Sequence, residues 1–387
     1  MKNTLTAAFL LILCCSCVQI ANRKYAGYDA TDFSQRKKIT GSLSLDKKAE
    51  YFHKRLKKFT VKSLIGRESN SKDVHLEMSC QYLVYLALRY KRLKNKADLA
   101  ELKACIKSLE GMDKRNGLDG YYPRIVNEKK IYRNETYANA YSQLLWAFIY
   151  TKKLIQDKDV HAGIDTQLKR IKAHIIASNY HIKDETGQKL RNSNLKGWSG
   201  SRKMDYILFK ELFSMDSRQR IPWIHFQWLQ FKLPSHSSDW LNMIRLHALC
   251  LLSDYYQDNL KKLYRSQKKE SNAFFAGLYY SIFPFDEDDF NSAKNMLNSF
   301  PLNPDNRQII NSTNPDLKNN LSVTCSKKMH LESISPLPIY QRPGKTYEWK
   351  KNPFRLNGNI GSDGKTQYSG MDFLIAYELL KAVARGQ

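Results

Sequence analysis

Between residues 99 and 112 the apolar side chains Leu99, Leu102, Cys105, Ile106, Leu109 and Met112 recur at intervals of three and four, with lysines and glutamates between them. That spacing predicts an α-helix with one buried stripe and one solvated face. Val160, Ile164, Leu168, Ile171 and Ile175 repeat it. The segment between them is different. From Tyr137 to Tyr150 (YANAYSQLLWAFIY) apolar or aromatic residues cover almost the whole circumference, so this helix has to be surrounded by protein. Trp240 to Leu252 (WLNMIRLHALCLL) and Ala273 to Phe283 (AFFAGLYYSIF) read the same way. Met371 to Val383 closes the chain as an amphipathic helix.

Exposed and buried helices therefore alternate. Helical hairpins that send one helix outward and one inward around a ring have this signature, strand signals are few, and no repeat of fixed period is visible. The expected fold is all-α, an (α/α) toroid in the form of an incomplete helical-hairpin barrel, with a stacked helical solenoid as the alternative. Residues 299–369 interrupt the pattern with Asn, Pro, Gly, Ser and Lys. They also hold Tyr340, Tyr347, Trp349, Phe354 and Tyr368, too many aromatics for plain disorder. This long irregular segment is expected to pack over another part of the molecule.

The N-terminus has a separate logic. Lys2 precedes a short apolar run, Leu5 to Leu13, which has the layout of a signal peptide and falls short of the roughly 20 residues that span a membrane. Leu13 and Ser16 ahead of Cys17 resemble the lipobox of bacterial lipoproteins. The resemblance implies that Cys17 carries the lipid; Cys15 is the alternative, because Cys14 stands where an aliphatic residue is usual. The chain then divides into a lipoprotein signal peptide (1–17), a polar, flexible tether (18–44) and a helical domain (45–387). With no histidine near Cys14, Cys15 and Cys17, a metal site is not expected there. Cys80, Cys105, Cys250 and Cys325 stand singly, the first three on apolar stripes, so no disulfide framework is implied. Gly197 to Gly200 lacks the strand and the GK[ST] ending of a phosphate loop, and no cofactor is expected.

The charge narrows the partners. Lys and Arg number 63 against 37 Asp and Glu, a net +26, and such a field favours anionic ligands. For an anchored protein these are acidic glycans, lipid headgroups or teichoic-type polymers. No basic run interleaves with stacking aromatics and no nucleic-acid module is present, so nucleic acid is not an expected partner. Asn134-Glu135-Thr136, Asn311-Ser312-Thr313 and Asn320-Leu321-Ser322 match the glycosylation acceptor pattern, which in an Asn-rich chain arises readily by chance.

Three loops hold candidate chemistry. The first runs from Gly117-Leu118-Asp119-Gly120-Tyr121-Tyr122-Pro123-Arg124 to Asn134-Glu135-Thr136-Tyr137, ahead of the buried helix on which Asn139 and Gln143 share a face at i and i+4. Asn134 or Thr136 is the expected cap. The second is Ser235-His236-Ser237-Ser238-Asp239-Trp240, continued inward by Asn242 and Arg245, with Ser237 or Ser238 as the cap. His247 further along is expected to be a satisfied core histidine. The third, Arg191 to Asp205, offers Trp198 as a surface on which a sugar ring can stack.

The DGYYPR loop with NETYANAYSQLLWAF, the SSDWLNMIRLHAL helix and the tail YEWKKNPFRLNGNIGSDGKTQYSGMDFLIAYELL together look like secreted (α/α) toroid proteins of the six-hairpin glycosidase and polysaccharide-lyase-like kind, over residues about 45 to 385. The resemblance implies a polysaccharide in a central funnel. Hydrolases of that kind use acidic residues; lyases use Tyr, His, Arg and Asn to neutralise a uronate carboxylate and take its C5 proton. The candidate catalytic residues are Glu135, Asp119, Asp239 and His236, with Tyr137 in a lyase. The candidate substrate-binding residues are Tyr122, Arg124, Asn139, Trp198, Asp205, Trp240 and Arg245. The alternative is a non-catalytic surface lipoprotein that binds a glycan or a protein partner. Two ionisable side chains converging in an open funnel favour the enzyme. A funnel plugged by Trp349, Phe354 and Tyr368 favours binding.

Overall fold

A computed structural model describes residues 38, 43–65, 74–114, 118–126, 136, 138–183, 188–195, 200–214, 236–302, 317, 321–324, 330–342, 347–356 and 369–385. The helices, in chain order, are α1 (Leu45–Leu56), α2 (Leu76–Leu93), α3 (Lys96–Lys114), α4 (Ala138–Leu154), α5 (Lys158–Ala177), α6 (Gly200–Leu212), α7 (His236–Leu252), α8 (Gln257–Gln267), α9 (Ala273–Tyr280), α10 (Glu287–Asn298) and α11 (Met371–Arg385). Strands are confined, among the described residues, to four two-stranded antiparallel ribbons: β1 (Thr60–Val61) with β2 (Leu64–Ile65), β3 (Val74–His75) with β4 (Ile125–Val126), β5 (His181–Lys183) with β6 (Lys189–Asn194), and β7 (Leu321–Thr324) with β8 (His330–Ser333).

Helix α2 packs on α4, α4 on α7, α7 on α9, α9 on α11, and α11 returns to α2. These five helices close a ring. Outside it, α3 lies on α2, α5 on α4, α6 on α4 and α7, α8 on α7 and α9, α10 on α9 and α11, and α1 on α11. A closed inner ring inside an outer layer is an (α/α) toroid, and the solenoid alternative, whose first and last helices would stay apart, does not hold. The outer helices carry the one-faced pattern: in α5 the buried apolar residues are Val160, Ile164, Leu168, Ile171 and Ile175. In α4 everything from Ala140 to Thr151 is buried, as an inner position requires. The stability comes chiefly from such burial, about 1.5–3 kcal/mol for each fully buried Leu, Ile or Phe side chain. Cys80, Cys105 and Cys250 are all buried free thiols.

Helix α11 differs from expectation. It is an inner helix buried from Met371 to Leu380, and its acidic residues, which read as a solvated face, are held inside. Glu378 accepts two hydrogen bonds from Arg92 on α2, at 2.7 and 2.6 Å, a bidentate pairing that ties the ring shut. Two glycines permit the closure. A Cβ on Gly277 would stand 2.5 Å from Cβ of Leu379, so only glycine lets α9 lie this close to α11. Gly370, at φ +80°, turns the chain into α11 with its Cα against the Phe52 ring.

The links of the ring are unequal. The links leaving the C-terminal ends of inner helices are short: 94–95, 155–157, 253–256 and 281–286. The links entering the N-terminal ends are long: 57–75 before α2, 115–137 before α4, 213–235 before α7 and 299–370 before α11, with only 268–272 before α9 brief. In sequence, then, the connections at one mouth, the long-loop mouth, are long and those at the other are short.

Candidate functional site

At the long-loop mouth, side chains from three helices form one hydrogen-bonded cluster. Arg245, in the third turn of α7, donates from Nε to Asp205 Oδ1 on α6 (2.6 Å), from Nη1 to Asn242 Oδ1 (3.1 Å) and from Nη2 to Asn139 Oδ1 on α4 (2.7 Å). Ser142 Oγ also donates to Asp205 Oδ1. Arg245 has no exposed surface and Asp205, Asn242 and Ser142 almost none; Asn139 is the member with exposed area. Taking a guanidinium and a carboxylate out of water costs several kcal/mol per ion. The paired geometry and the two amides offset that cost. Four residues singled out in the sequence, Asn139, Asp205, Asn242 and Arg245, thus meet in space. Gln143, one turn along from Asn139, donates weakly to the Asn139 carbonyl (3.4 Å).

Beside this cluster the ring is capped by a single turn, residues 347–350. Tyr347 packs on Trp240 with its ring tilted by 55° and centroids 5.3 Å apart, and the Lys350 ammonium lies 4.2 Å from the Trp240 ring centre, a cation–π contact. Trp349 is buried, its indole donating to the Asp372 carbonyl at 2.7 Å. Glu348 N donates to Asp372 Oδ2 (3.2 Å), and the Glu348 carboxylate takes Arg342 (3.1 Å) and Lys351 (2.7 Å). Burial, with Glu348 adding its charge, pushes the Asp372 carboxyl up to about 6. The irregular segment does pack over the ring, as its aromatics implied. Phe354 is half-buried under the Lys269 ammonium, and Tyr368 lies outside the described residues.

Sequence reasoning missed Glu348 and Asp372. An acid set among apolar residues in the first turn of the helix (MDFLIAY) was the available signal for Asp372.

The other candidates are distributed as follows. Asp239 is buried and accepts from Gln267 Nε2 at 2.9 Å. Trp240 is buried beneath Tyr347 and Lys350. Asp119 is exposed in a turn. Tyr122 has no exposed surface: its hydroxyl donates to Gln167 (2.8 Å), and its N–H donates to the Tyr141 hydroxyl (3.0 Å). The DGYYPR loop is thus locked beneath α5, where Gly120, at φ +82°, passes against the Arg170 backbone. Arg124 is half-buried, and its carbonyl accepts the N–H of Leu76 at the start of α2. Glu135, Tyr137, Trp198 and Cys17 lie outside the described residues.

The two expected caps differ. Helix α7 begins at His236, so Ser237 and Ser238 lie within its first turn. Thr136 stands two residues before α4, and its buried hydroxyl has no hydrogen-bond partner among the described residues. The side chain of His236 is not among those described. His247, on the same helix, is a core histidine. Trp146 Nε1 donates to its Nδ1 (3.0 Å), which leaves the proton of the neutral ring on Nε2, directed at Ser281 Oγ (2.8 Å). Burial drives its pKa down to about 3. An Nε2 that carries a proton cannot serve as a base toward Ser281.

No known protein family matches the chain by sequence, and no curated protein does. Among solved structures, a sugar epimerase from a ruminal bacterium is similar at 11% identity and a TM-score of 0.46, over 89% of this chain and all of that one. Two inactive variants of the α-1,6-mannanase GH76A of Salegentibacter sp. HEL1_6, in complex with α-1,6-mannotetrose and α-1,6-mannotriose, are similar at 15% identity with TM-scores of 0.42 and 0.39, each over 87% of this chain and all of that one. The toroid assignment rests on the closed ring of helices itself.

Proposed function

We propose that the chain is an envelope-anchored lipoprotein that binds a polysaccharide at the long-loop mouth of its ring, with acidic glycans favoured by the net charge of +26. The observation that supports this most is the convergence of Asn139, Asp205, Asn242 and Arg245 at the end where the long loops enter. A core gains little from such a cluster, since replacing a buried ion pair by apolar residues is often neutral or stabilising. Hydrogen-bonding groups held rigidly at a mouth suit the hydroxyls of a sugar, and Asn139 is the partly exposed member that would meet them. Binding is favoured over cleavage because Asp205 and Asp239 are buried and engaged by Arg245 and Gln267, and because Tyr347 and Trp349 sit in the mouth.

Cleavage is the second reading. It is favoured by the start of α7 at His236, which brings His236 and Asp239 into the first turn of an inner helix adjoining α4, whose entry loop contains Glu135. On that reading Glu135, Asp119 and Asp239 serve a hydrolase, and His236 with Arg124 a lyase. Lipid on Cys17 supplies the anchor, since additional acyl chains make anchoring stable where one does not.

The test is a screen against neutral and acidic polysaccharides that follows binding, reducing ends and the ultraviolet absorbance of unsaturated uronates together. Binding without either product is the expected result. Reducing ends alone would move the account to a hydrolase, and both signals to a lyase. Cys17→Ser is expected to release the chain from membranes, and persistence there would point to Cys15.

A further inference from the structure

The geometry points to a second ligand site at the opposite end of the ring, one that takes an anionic saccharide. The C-terminal ends of all five inner helices surround an open cavity of about 710 Å³ there, a size within the usual range for small-ligand sites. Its charge is the first argument. Lys91 on the last turn of α2 and Lys153 on the last turn of α4 both line it and are exposed. Neither has an acidic partner among the described residues, whereas their neighbours do: Arg92 pairs with Glu378 and Lys152 with Asp165. Lysine at a helix C-terminus has an ordinary structural reading, as a favourable charge against the dipole. That reading accounts for each lysine on its own helix; together they place two ammonium groups over one cavity with no acidic partner among the described residues. Asp254, the one carboxylate in the described lining, is engaged by Gln257 Nε2 at 2.7 Å.

The walls supply the second argument. Phe283 and Phe285 line the cavity with part of their surface exposed, and both are held in place. Phe283 packs on Tyr279 with centroids 4.7 Å apart. Phe285 packs on Phe290 at 5.2 Å. At the floor, Ser281 Oγ is fixed by His247 and donates to the Leu278 carbonyl at 2.7 Å. Partly exposed aromatic surface for the apolar face of a sugar ring, the Ser281 oxygen as an acceptor for its hydroxyls, and two ammonium groups for a carboxylate or sulfate together describe an acidic sugar. This site stands independently of the long-loop mouth.

Calorimetry with tri-galacturonate as the probe tests it, on the full chain and on two variants, K91A/K153A and N139A. The expected result is a binding component that weakens at least tenfold in K91A/K153A, persists in N139A, and is lost when the carboxylates are methyl-esterified. Binding that survives K91A/K153A but falls in N139A would overturn this site and leave the long-loop mouth standing. Equal binding of the methyl ester would remove the anionic class. Displacement by inorganic phosphate at equal affinity would reduce the site to one for small anions, and the absence of any binding by the full chain would overturn it outright.

Discussion

The two mouths of the ring are made from the same five helices and differ in almost everything else. At the N-terminal mouth the links are long, and the polar side chains are buried and tied to one another; Arg245 alone bonds to three residues. At the C-terminal mouth the links are two to six residues long (94–95 to 281–286), a cavity stays open, and Lys91 and Lys153 line it with no acidic partner among the described residues. The contrast teaches that burial and openness divide the work. Where the chain has length to fold back over the ring it fills the mouth with Tyr347 and Trp349. Where it turns back at once it cannot.

The contrast should appear in stability. Arg245→Met leaves Asp205 buried without its counterion and is expected to cost about 3–5 kcal/mol in urea denaturation, with Asp205→Leu added to it restoring much of the loss. A loss under 1 kcal/mol would mean that water reaches the cluster. Trp349→Ala removes the plug of the same mouth and, as an aromatic-to-alanine core change, should cost a similar 3–5 kcal/mol; a small cost would mean that the 347–350 turn is only loosely seated.

Next comes the pH response. The Asp372 carboxyl is raised from 3.8 to about 6 in the folded chain, so its contribution to stability is present below pH 3.8 and is lost as pH rises through 6. Asp372→Asn keeps an oxygen for the Glu348 N–H and cannot ionise. It should be more stable than the parent at pH 8, by up to about 3 kcal/mol, and the advantage should vanish at pH 4. Burial lowers His53 and His174 to about 4 and His247 to about 3. The stability they contribute is complete above their ordinary 6.5 and falls away as pH drops below it. These three titrate alike in both proteins and cancel in the difference. A constant difference across pH would show that Asp372 does not titrate there. The smallest effect belongs to the other mouth: K91A/K153A should leave the free energy of urea unfolding within about 0.5 kcal/mol per exposed residue, and a large loss would mean that these lysines serve the fold.

Much of the fold was legible because an inner helix of a ring has no solvated side. Tyr137–Tyr150, Trp240–Leu252 and Ala273–Phe283 announced their places by being apolar all round. Helix α11 did not, since Asp372 and Glu378 look like a wet face until Arg92, nearly 290 residues away, is brought beside one of them. The candidate site was legible residue by residue and not as a set. Asn139, Asp205 and Arg245 could be picked from three separate loops and helices, but their meeting depends on which helices the ring makes adjacent. Tyr122 shows the reverse: a tyrosine in a Gly-rich loop looks available, and the lock beneath α5 takes it out of reach. The cavity left no trace in sequence, because lysines in last turns are ordinary.

The most direct test of polysaccharide binding at the long-loop mouth is the affinity of K91A/K153A, in which the second site is disabled, for its best glycan from the screen, compared with that of the same variant carrying N139A. Asn139 has exposed surface, but its Oδ1 also accepts from the buried Arg245 Nη2, so the change is expected to cost about 1–3 kcal/mol of stability as well. The account predicts binding without cleavage by the parent chain and at least a tenfold loss of affinity when N139A is added, under conditions where the variant is folded. Equal affinity in the two proteins would contradict it.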